Sequence, residues 1–309
     1  MEAAGIYVEA TVQGSMDELW DKTQDPALHE QWDLRFSEIH YLPRDGADEN
    51  QRFRYATRIG FGLRIEGDGE SVAEKRSPDG VRTSALKFSS NDPKSLIREG
   101  SGYWRYVPTP DGVRFLTWYS YKTRHAAVGR AFDRFAFRPA MGWATAWSFD
   151  CLRLWIEQGI PPRVSVRRAQ TYAVARIALA LLFLYHGLVP KLLAQHPDEL
   201  ALVLAGGVSP SVAPFVVQAI GTAEVLWAGL LFVLWRARWP LVLTAALMVV
   251  ALASVAATAP GYLVAAFNPV TLNLAVIALC GVAWLSGADL PSARRCLRIR
   301  PDPAQPLST

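Results

Sequence analysis

The sequence has few cysteines and none of the short motifs that mark common catalytic or metal sites. Its three cysteines, Cys151, Cys280 and Cys296, stand far apart, so we expect reduced thiols rather than disulfides or a cysteine metal cluster. CxxC, HExxH, GxSxG, GxGxxG and P-loop patterns are absent. The five histidines lack the spacing of metal ligands. The sequence therefore indicates no metal, identifies no cofactor or catalytic residue, and predicts no reaction.

Charge is nearly missing from one long part of the chain. Of the 60 charged residues, 47 lie in residues 1–168, seven in residues 169–288 and six after them. Apolar runs within the charge-poor part cover about residues 172–189, 212–235, 239–259 and 270–286. Each is close to the ~20 residues that a helix needs to cross about 30 Å of hydrocarbon. The sequence therefore predicts an all-α bundle of four transmembrane helices.

Basic residues at the ends of these runs predict their orientation. Arg163, Arg167 and Arg168 precede the first run, Arg236 and Arg238 join the second to the third, and four arginines follow the fourth. The other two connections carry little positive charge, so we expect both termini in the cytoplasm. The start of the chain has neither a basic nor an apolar signal region, so we expect no cleaved signal peptide. The 26 arginines against 6 lysines favour a bacterial plasma (inner) membrane.

The chain divides into a soluble part and a membrane part. We predict a cytosolic α+β domain in residues 1–160, a basic linker in 161–170, a membrane domain in 171–288, and a basic then polar cytoplasmic tail in 289–309. The first domain begins with the alternating strand GIYVEATVQ and two short helices capped by Ser15 and Asp25. Strand-like runs separated by turns follow, and then a helix from about Ala126 to Gln158, broken at Pro139. With 24 basic and 23 acidic residues in 1–168, no nucleic-acid partner is expected.

This order of elements, with SMDELWDKTQDPALHEQWD near its start, resembles the START-like, polyketide-cyclase superfamily (SRPBCC). The resemblance implies a helix-grip fold, in which a sheet wraps the last helix around an apolar cavity. In the membrane part, FLYHGLVPKLLAQHPDEL and GTAEVLWAGLLFVLW resemble DoxX-like membrane proteins. Together the two resemblances cover about residues 4–287. They imply an SRPBCC domain fused to a DoxX-like integral membrane domain.

Aromatic side chains are concentrated towards the end of the soluble domain. They can form its core, line a cavity for a flat or lipidic ligand, or lie on lipid headgroups. The last alternative applies to FDRFAFRPAMGW, where Arg134 and Arg138 lie among the rings and Arg130 stands two residues before the first of them. The sequence leaves all three open. The candidate ligand-binding residues are Trp104, Tyr106, Trp118, Tyr119, Tyr121 and Trp147.

Four polar residues within or beside the apolar runs are further candidates: Arg176, His186, Lys191 and Glu224. Ionisable groups in hydrocarbon are costly and usually face the interior of a bundle. We hypothesise that Arg176 pairs with Glu224 there. In the alternative, Arg176 extends to the headgroups and Glu224 is protonated or faces a polar cavity. Lys191 can anchor the outer interface, and the role of His186 stays open.

These observations favour a membrane-tethered protein that contacts membrane lipids and binds a hydrophobic small molecule, either a lipid or a quinone-like compound. The resemblance to DoxX-like proteins, whose namesake associates with a quinone-linked oxidoreductase, implies one alternative: a membrane subunit that supports a redox partner protein. A second alternative is a polyketide cyclase or hydrolase acting in the soluble cavity. That enzyme needs a histidine or carboxylate aimed into the cavity, and the sequence places none there.

Overall fold

The computed structural model describes residues 5–44, 46, 49–60, 62–266 and 268–301. Its contacts divide the chain into two units. The first, which we call the sheet domain, comprises residues 1–165 and 291–309, and the second, the helical domain, comprises residues 166–290.

The sheet domain is built on an antiparallel sheet with the strand order β1-β7-β6-β5-β4-β3-β2. Its strands are β1 (Ile6–Val12), β2 (Glu38–Tyr41), β3 (Arg52–Gly60), β4 (Leu63–Arg76), β5 (Arg82–Ser89), β6 (Ile97–Thr109) and β7 (Gly112–Thr123). Two short helices, α1 (Met16–Gln24) and α2 (Pro26–Trp32), connect β1 to β2. After β7 come α3 (Ala126–Phe132), a π-helical segment (Asp133–Phe137) and the long α4 (Arg138–Gln158). A sheet that packs on a long terminal helix is the predicted helix-grip architecture.

Local sequence explains where these elements begin and end. Ser15 Oγ accepts a hydrogen bond from the Glu18 N–H at 3.1 Å, which confirms the predicted cap of α1. α4 ends at Gly159, whose φ of 65° is in the left-handed region that favours glycine. The expected break at Pro139 is wrong, because the chain passes from π-helix to α-helix there and the proline lies in the first turn of α4.

Aromatic rings form the contact between the sheet and α4. Phe115 on β7 stacks on Phe149 of α4 with 4.3 Å between ring centroids. Trp32 from α2 meets Phe149 at 6.1 Å and Trp104 of β6 at the same distance. Phe115, Phe149 and Trp32 are almost completely buried. The first of the three alternatives, core packing, therefore holds for these rings.

The segment after the last long helix of the chain packs on the sheet domain. Leu297 forms an antiparallel bridge with Glu9 of β1, through two backbone hydrogen bonds of 2.9 Å. The buried Asp150 of α4 accepts hydrogen bonds from the Ser292 N–H at 2.7 Å and from Arg295 at 3.1 Å. Because β1 is an edge strand, this segment extends the sheet. The chain therefore returns to the same folded unit after residues 166–290.

The helical domain contains the four long apolar helices that the sequence predicts. The candidate membrane spans in the described part of the chain are Pro162–Leu193, Ala213–Val233, Trp239–Thr258 and Pro269–Ser286. The first comprises α5 (Pro162–His186) and a π-helical segment (Gly187–Leu193), and the others are α7, α8 and α9. A short helix, α6 (Pro197–Ala205), lies between the first two and was not predicted. The lengths match the ~20 residues that a span requires.

Candidate functional site

The sheet domain has an open cavity of about 1520 Å³. Its lining comes from β3 to β7 and from the chain between Arg130 and Arg138. Apolar rings from the sheet, Phe53, Phe88 and Tyr121, share the lining with these arginines. Small-molecule pockets are usually apolar with a few polar groups, whereas this cavity combines aromatic rings with many charged side chains.

Rings that lie over glycines form part of the cavity wall. Phe53 on β3 pairs across the sheet with Gly69 on β4, and Phe88 on β5 pairs with Gly100 on β6. A Cβ atom added to Gly69 would lie 2.2 Å from the Phe53 ring, and one added to Gly100 would lie 2.5 Å from the Phe88 ring. Each ring therefore occupies the space that a neighbouring side chain would take. Any larger residue at these glycines must displace a ring or the backbone.

A polar cluster connects the cavity to the helical segment after β7. The Tyr121 hydroxyl donates a hydrogen bond to Asp133 Oδ1 at 2.6 Å, and Arg138 Nε donates to Asp133 Oδ2 at 3.0 Å. The Arg138 guanidinium also lies 4.9 Å from the centroid of the Tyr121 ring. Burial, and then the Asp133 carboxylate, raise the pKa of Tyr121 far above its usual value. The phenol therefore stays protonated and serves as a donor.

A second polar cluster lies deeper in the domain. The carboxylate of Asp33, which is fully buried, accepts two side-chain hydrogen bonds from Arg35, at 2.9 and 2.6 Å, and contacts His29 Nε2 at 3.0 Å. Burial by itself raises the pKa of Asp33, but the Arg35 charge and the hydrogen bonds from Arg35 and His29 outweigh it and hold the pKa well below its usual range. These three residues are not among the candidates that the sequence indicated. Only the spacing of His29, Asp33 and Arg35 around the end of α2 could have indicated them.

The six rings predicted to bind ligand fall into two groups. Trp118 and Tyr121 line the cavity. The remaining four are buried side chains of the domain: Trp104, Tyr106, Tyr119 and Trp147. Among these four, Tyr119 lies beside the Arg35 guanidinium, 5.4 Å from ring centroid to Cζ.

In the helical domain, the hypothesised pair of Arg176 and Glu224 is wrong. Arg176 is fully buried and donates hydrogen bonds to three backbone carbonyls, of Leu231 at 2.8 Å, Leu234 at 2.7 Å and Ala237 at 3.0 Å. These carbonyls lie at and just beyond the end of α7 (Ala213–Val233), where the last carbonyls of a helix lack intrahelical N–H partners, and the Leu234 carbonyl also accepts from the Ala237 N–H at 3.0 Å. Arg176 therefore caps α7 through Nη1 and Nη2, and its hydrogen-bond partners are carbonyls rather than a carboxylate.

Glu224 has Lys191 as its partner instead. Lys191 Nζ lies 3.0 Å from Glu224 Oε2 and 3.2 Å from Glu199 Oε1 of α6, and it donates to the His186 carbonyl at 3.4 Å. Lys191 is only 8% exposed, so it does not project outwards as an interfacial anchor, as the sequence suggested. One ammonium group thus lies between two carboxylates. The cluster has a net negative charge when all three groups are ionised.

Two glycines explain how Lys191 comes so close to α7. A Cβ atom added to Gly187 would lie 2.5 Å from the Gly221 carbonyl oxygen, and one added to Gly221 would lie 2.8 Å from the Lys191 Cβ. Small residues let helix backbones approach each other in membranes. The π-helical segment that begins at Gly187 contains Pro190 and carries Lys191 towards Glu224. Thus the stretch HGLVPK, part of the resemblance to DoxX-like proteins, forms one side of the cluster.

Comparison with known proteins agrees with this division. Residues 180–281 match the DoxX-like family. The chain is 47% identical over 188 residues to the uncharacterized membrane protein YndG of Bacillus subtilis (strain 168), and this match covers 60% of the chain and 70% of YndG.

Solved structures of helix-grip type are also similar to the chain. A STAR-related lipid transfer protein fragment from Xanthomonas axonopodis has a TM-score of 0.38 at 15% identity, with 50% of this chain and 89% of that chain covered. The Zhui aromatase/cyclase from Streptomyces sp. R1128 has a TM-score of 0.35 at 14% identity, with 45% and 87% covered. The helix-grip assignment itself rests on the strand order and on the position of α4.

Proposed function

This chain belongs to the same family as the membrane protein YndG and carries a DoxX-like region, and we propose that its sheet domain binds a hydrophobic small molecule at the membrane. The observation that carries the proposal is the cavity of about 1520 Å³ with its ring-lined wall. That volume is larger than the roughly 300–1,000 Å³ of ordinary small-molecule pockets, so it has room for a long or polycyclic ligand.

The polar groups of the cavity favour a ligand with an anionic end. Between residues 126 and 138 the chain has three arginines and one acid, Asp133. Asp133 already accepts hydrogen bonds from Tyr121 and Arg138. In the whole lining, six basic side chains stand against four acidic ones, so the cavity wall carries an excess of positive charge. A lipid-like acid or an acidic polyketide-like compound has this chemistry.

Binding can be measured with the purified full-length protein and a fluorescent fatty-acid analogue. We expect saturable binding that unlabelled long-chain acids displace, and about a tenfold loss in the G69A variant, which corresponds to about 1.4 kcal/mol. The reason is that the three atoms nearest to a Cβ at Gly69 all belong to the Phe53 ring, which must move away from its present site.

The matched control is Gly46→Ala, because a Cβ at Gly46 has no neighbour within 4 Å. That variant should bind the probe as the unchanged protein does. Absence of saturable binding to the unchanged protein, or equal binding by both variants, would contradict the proposal.

We further propose that both ends of the helical domain face the cytoplasm of a bacterial cell, in its plasma membrane. Support comes from the arginines near the ends of the spans and from the packing of residues 291–301 on the sheet domain, which needs an even number of crossings.

Reporter fusions after Gly159 and at Ala237 should be active only as cytoplasmic reporters. A fusion near Gly207 should report the opposite side, and an exported signal at Ala237 would disprove the arrangement.

A further inference from the structure

We propose that the segment Ala126–Phe137, which we call the arm, inserts its exposed apolar side chains into a bilayer that contains anionic lipid. The arm comprises α3 and the π-helical segment that follows it. Arg130 and Arg134 of the arm also line the cavity, whereas its exposed apolar side chains, Val128, Phe132 and Phe135, do not, so this inference goes beyond ligand binding in the cavity.

The arm exposes large apolar side chains to an unusual degree. Val128 and Phe135 are each 78% exposed, and Phe132 is 56% exposed. These residues have the spacing i, i+4 and i+7, which on a helix brings side chains towards one face. A contiguous exposed apolar patch on a soluble surface commonly marks an interaction site. The arm thus presents an apolar surface that the sheet domain itself does not cover.

The side of the arm that faces the sheet domain is fixed by two buried residues. Gly129 lies so close to the Arg124 carbonyl oxygen that an added Cβ would be 1.9 Å from it. Four residues later, Asp133 is held by the hydrogen bonds from Tyr121 and Arg138. With Gly129 and Asp133 turned inwards, the rings of Phe132 and Phe135 cannot fold into the domain without breaking these contacts. The arm is therefore held with its apolar residues outwards.

The charges of the arm favour an anionic lipid surface over other occupants. Arg130 and Arg134 are exposed beside the apolar residues, and the Arg134 guanidinium lies 5.6 Å from the centroid of the Phe135 ring. Asp133, the one acid of the arm, is buried. Arginines flanking exposed phenylalanine and valine are typical of helices that lie in the membrane interface.

The sheet domain is covalently connected to the helical domain, and this connection keeps a lipid bilayer available to the arm at all times. α4 ends at Gln158, and the first candidate span begins at Pro162. A short tether gives a weak binding surface a high effective concentration of its target. Insertion by three apolar side chains therefore needs less intrinsic affinity than it would in a domain that is not joined to a membrane span.

Selective labelling of the full-length protein tests the proposal, because Cys151, Cys280 and Cys296 are all buried. An environment-sensitive fluorophore is attached to Phe135→Cys and, as the matched control, to Lys75→Cys, at an exposed residue of β4. Both proteins are placed in nanodiscs of phosphatidylcholine, with or without phosphatidylglycerol and with a nitroxide on the acyl chains. The unsubstituted protein, carried through the same labelling, measures any reaction of the native thiols.

We expect the label at position 135 to shift to shorter wavelength and to be quenched by the nitroxide at least threefold more than the label at position 75. Phosphatidylglycerol should strengthen the effect, and adding Arg130→Gln with Arg134→Gln should remove that dependence. A label at position 135 that stays in water in both lipids overturns the proposal and leaves a protein partner as the occupant. Equal quenching at both positions overturns it as well. Ligand binding in the cavity is tested separately, by fatty-acid binding to the protein with Arg130 and Arg134 unchanged.

Discussion

Lys191→Glu should greatly reduce the fraction of the protein that is folded after extraction from the membrane. The substitution places a third carboxylate against Glu199 and Glu224, both of which now contact the Lys191 ammonium. Breaking a buried ion pair by removing one partner costs about 3–5 kcal/mol, and repulsion adds to that cost. Native protein stability is only about 5–15 kcal/mol, so the loss is large. Fluorescence-detected size-exclusion chromatography in mild detergent measures the folded fraction.

The exchange of charges supplies the control. Lys191→Glu combined with Glu224→Lys restores an ion pair at the same place and should recover a substantial part of the folded fraction. Arg176→Glu combined with Glu224→Arg should leave the folded fraction low, because Arg176 donates hydrogen bonds to the carbonyls at the end of α7 rather than to a carboxylate. Recovery in the second exchange but not in the first would contradict the assignment of partners.

The partner of Glu224 shows what hydropathy can and cannot predict. Lipid requires about 20 apolar residues for each crossing, so the number of spans follows from composition. A pairing depends on helix rotation and on how closely two backbones approach. For Lys191 these are determined by the π-helical turn after His186 and by the contact between Gly187 and Gly221. Neither feature has a period in the sequence, so the depth of Arg176 alone suggested the wrong partner.

In the sheet domain, alternation and turn residues are sufficient to predict the order of the elements, because each strand buries one face and each turn needs particular residues. The long run RFRYATRIGFGLRIEG is two strands, since β3 ends at Gly60 and Gly62 has a φ of 75°. Contacts between distant segments are not readable in this way. Leu297 pairs with Glu9, although the sequence suggested only a basic and polar tail.

The glycines of the cavity wall illustrate the same limit. In the sequence, Gly69 and Gly100 look like weak points in strands. Their role in the cavity wall depends on the cross-strand neighbours Phe53 and Phe88, whose rings lie over these glycines. Register is a property of the folded sheet, so a single sequence does not state it. Of the cavity rings, Trp118 and Tyr121 were therefore recognised as candidates from the sequence, while Phe53, Phe88 and the glycines that make room for them were missed.

Asp33→Asn should destabilise the sheet domain by about 3–5 kcal/mol, because it leaves the mostly buried Arg35 guanidinium without its carboxylate partner. The measurement is thermal unfolding of the full-length protein in detergent at neutral pH. Glu38→Gln is the matched control. Glu38 also contacts arginines, Arg58 and Arg64, but these side chains are 65% and 44% exposed. Exposed pairs contribute about 0–1 kcal/mol, so that variant should unfold almost as the unchanged protein does.

The difference in stability between the unchanged protein and Asp33→Asn depends on pH, and the sign of the Asp33 pKa shift determines how. The pKa of Asp33 is lower in the folded protein than in the unfolded chain, so its contribution is complete above the usual carboxyl pKa of roughly 3.9. As the pH falls below that value, the unfolded chain takes up the proton first and the contribution declines, to be lost once the folded carboxylate is protonated. The stability gap between the unchanged protein and the D33N variant should therefore stay constant from neutral pH down to about 5 and narrow only in stronger acid. A gap that already closes between neutral pH and about 5 would show that Asp33 is not held ionised by Arg35 and His29.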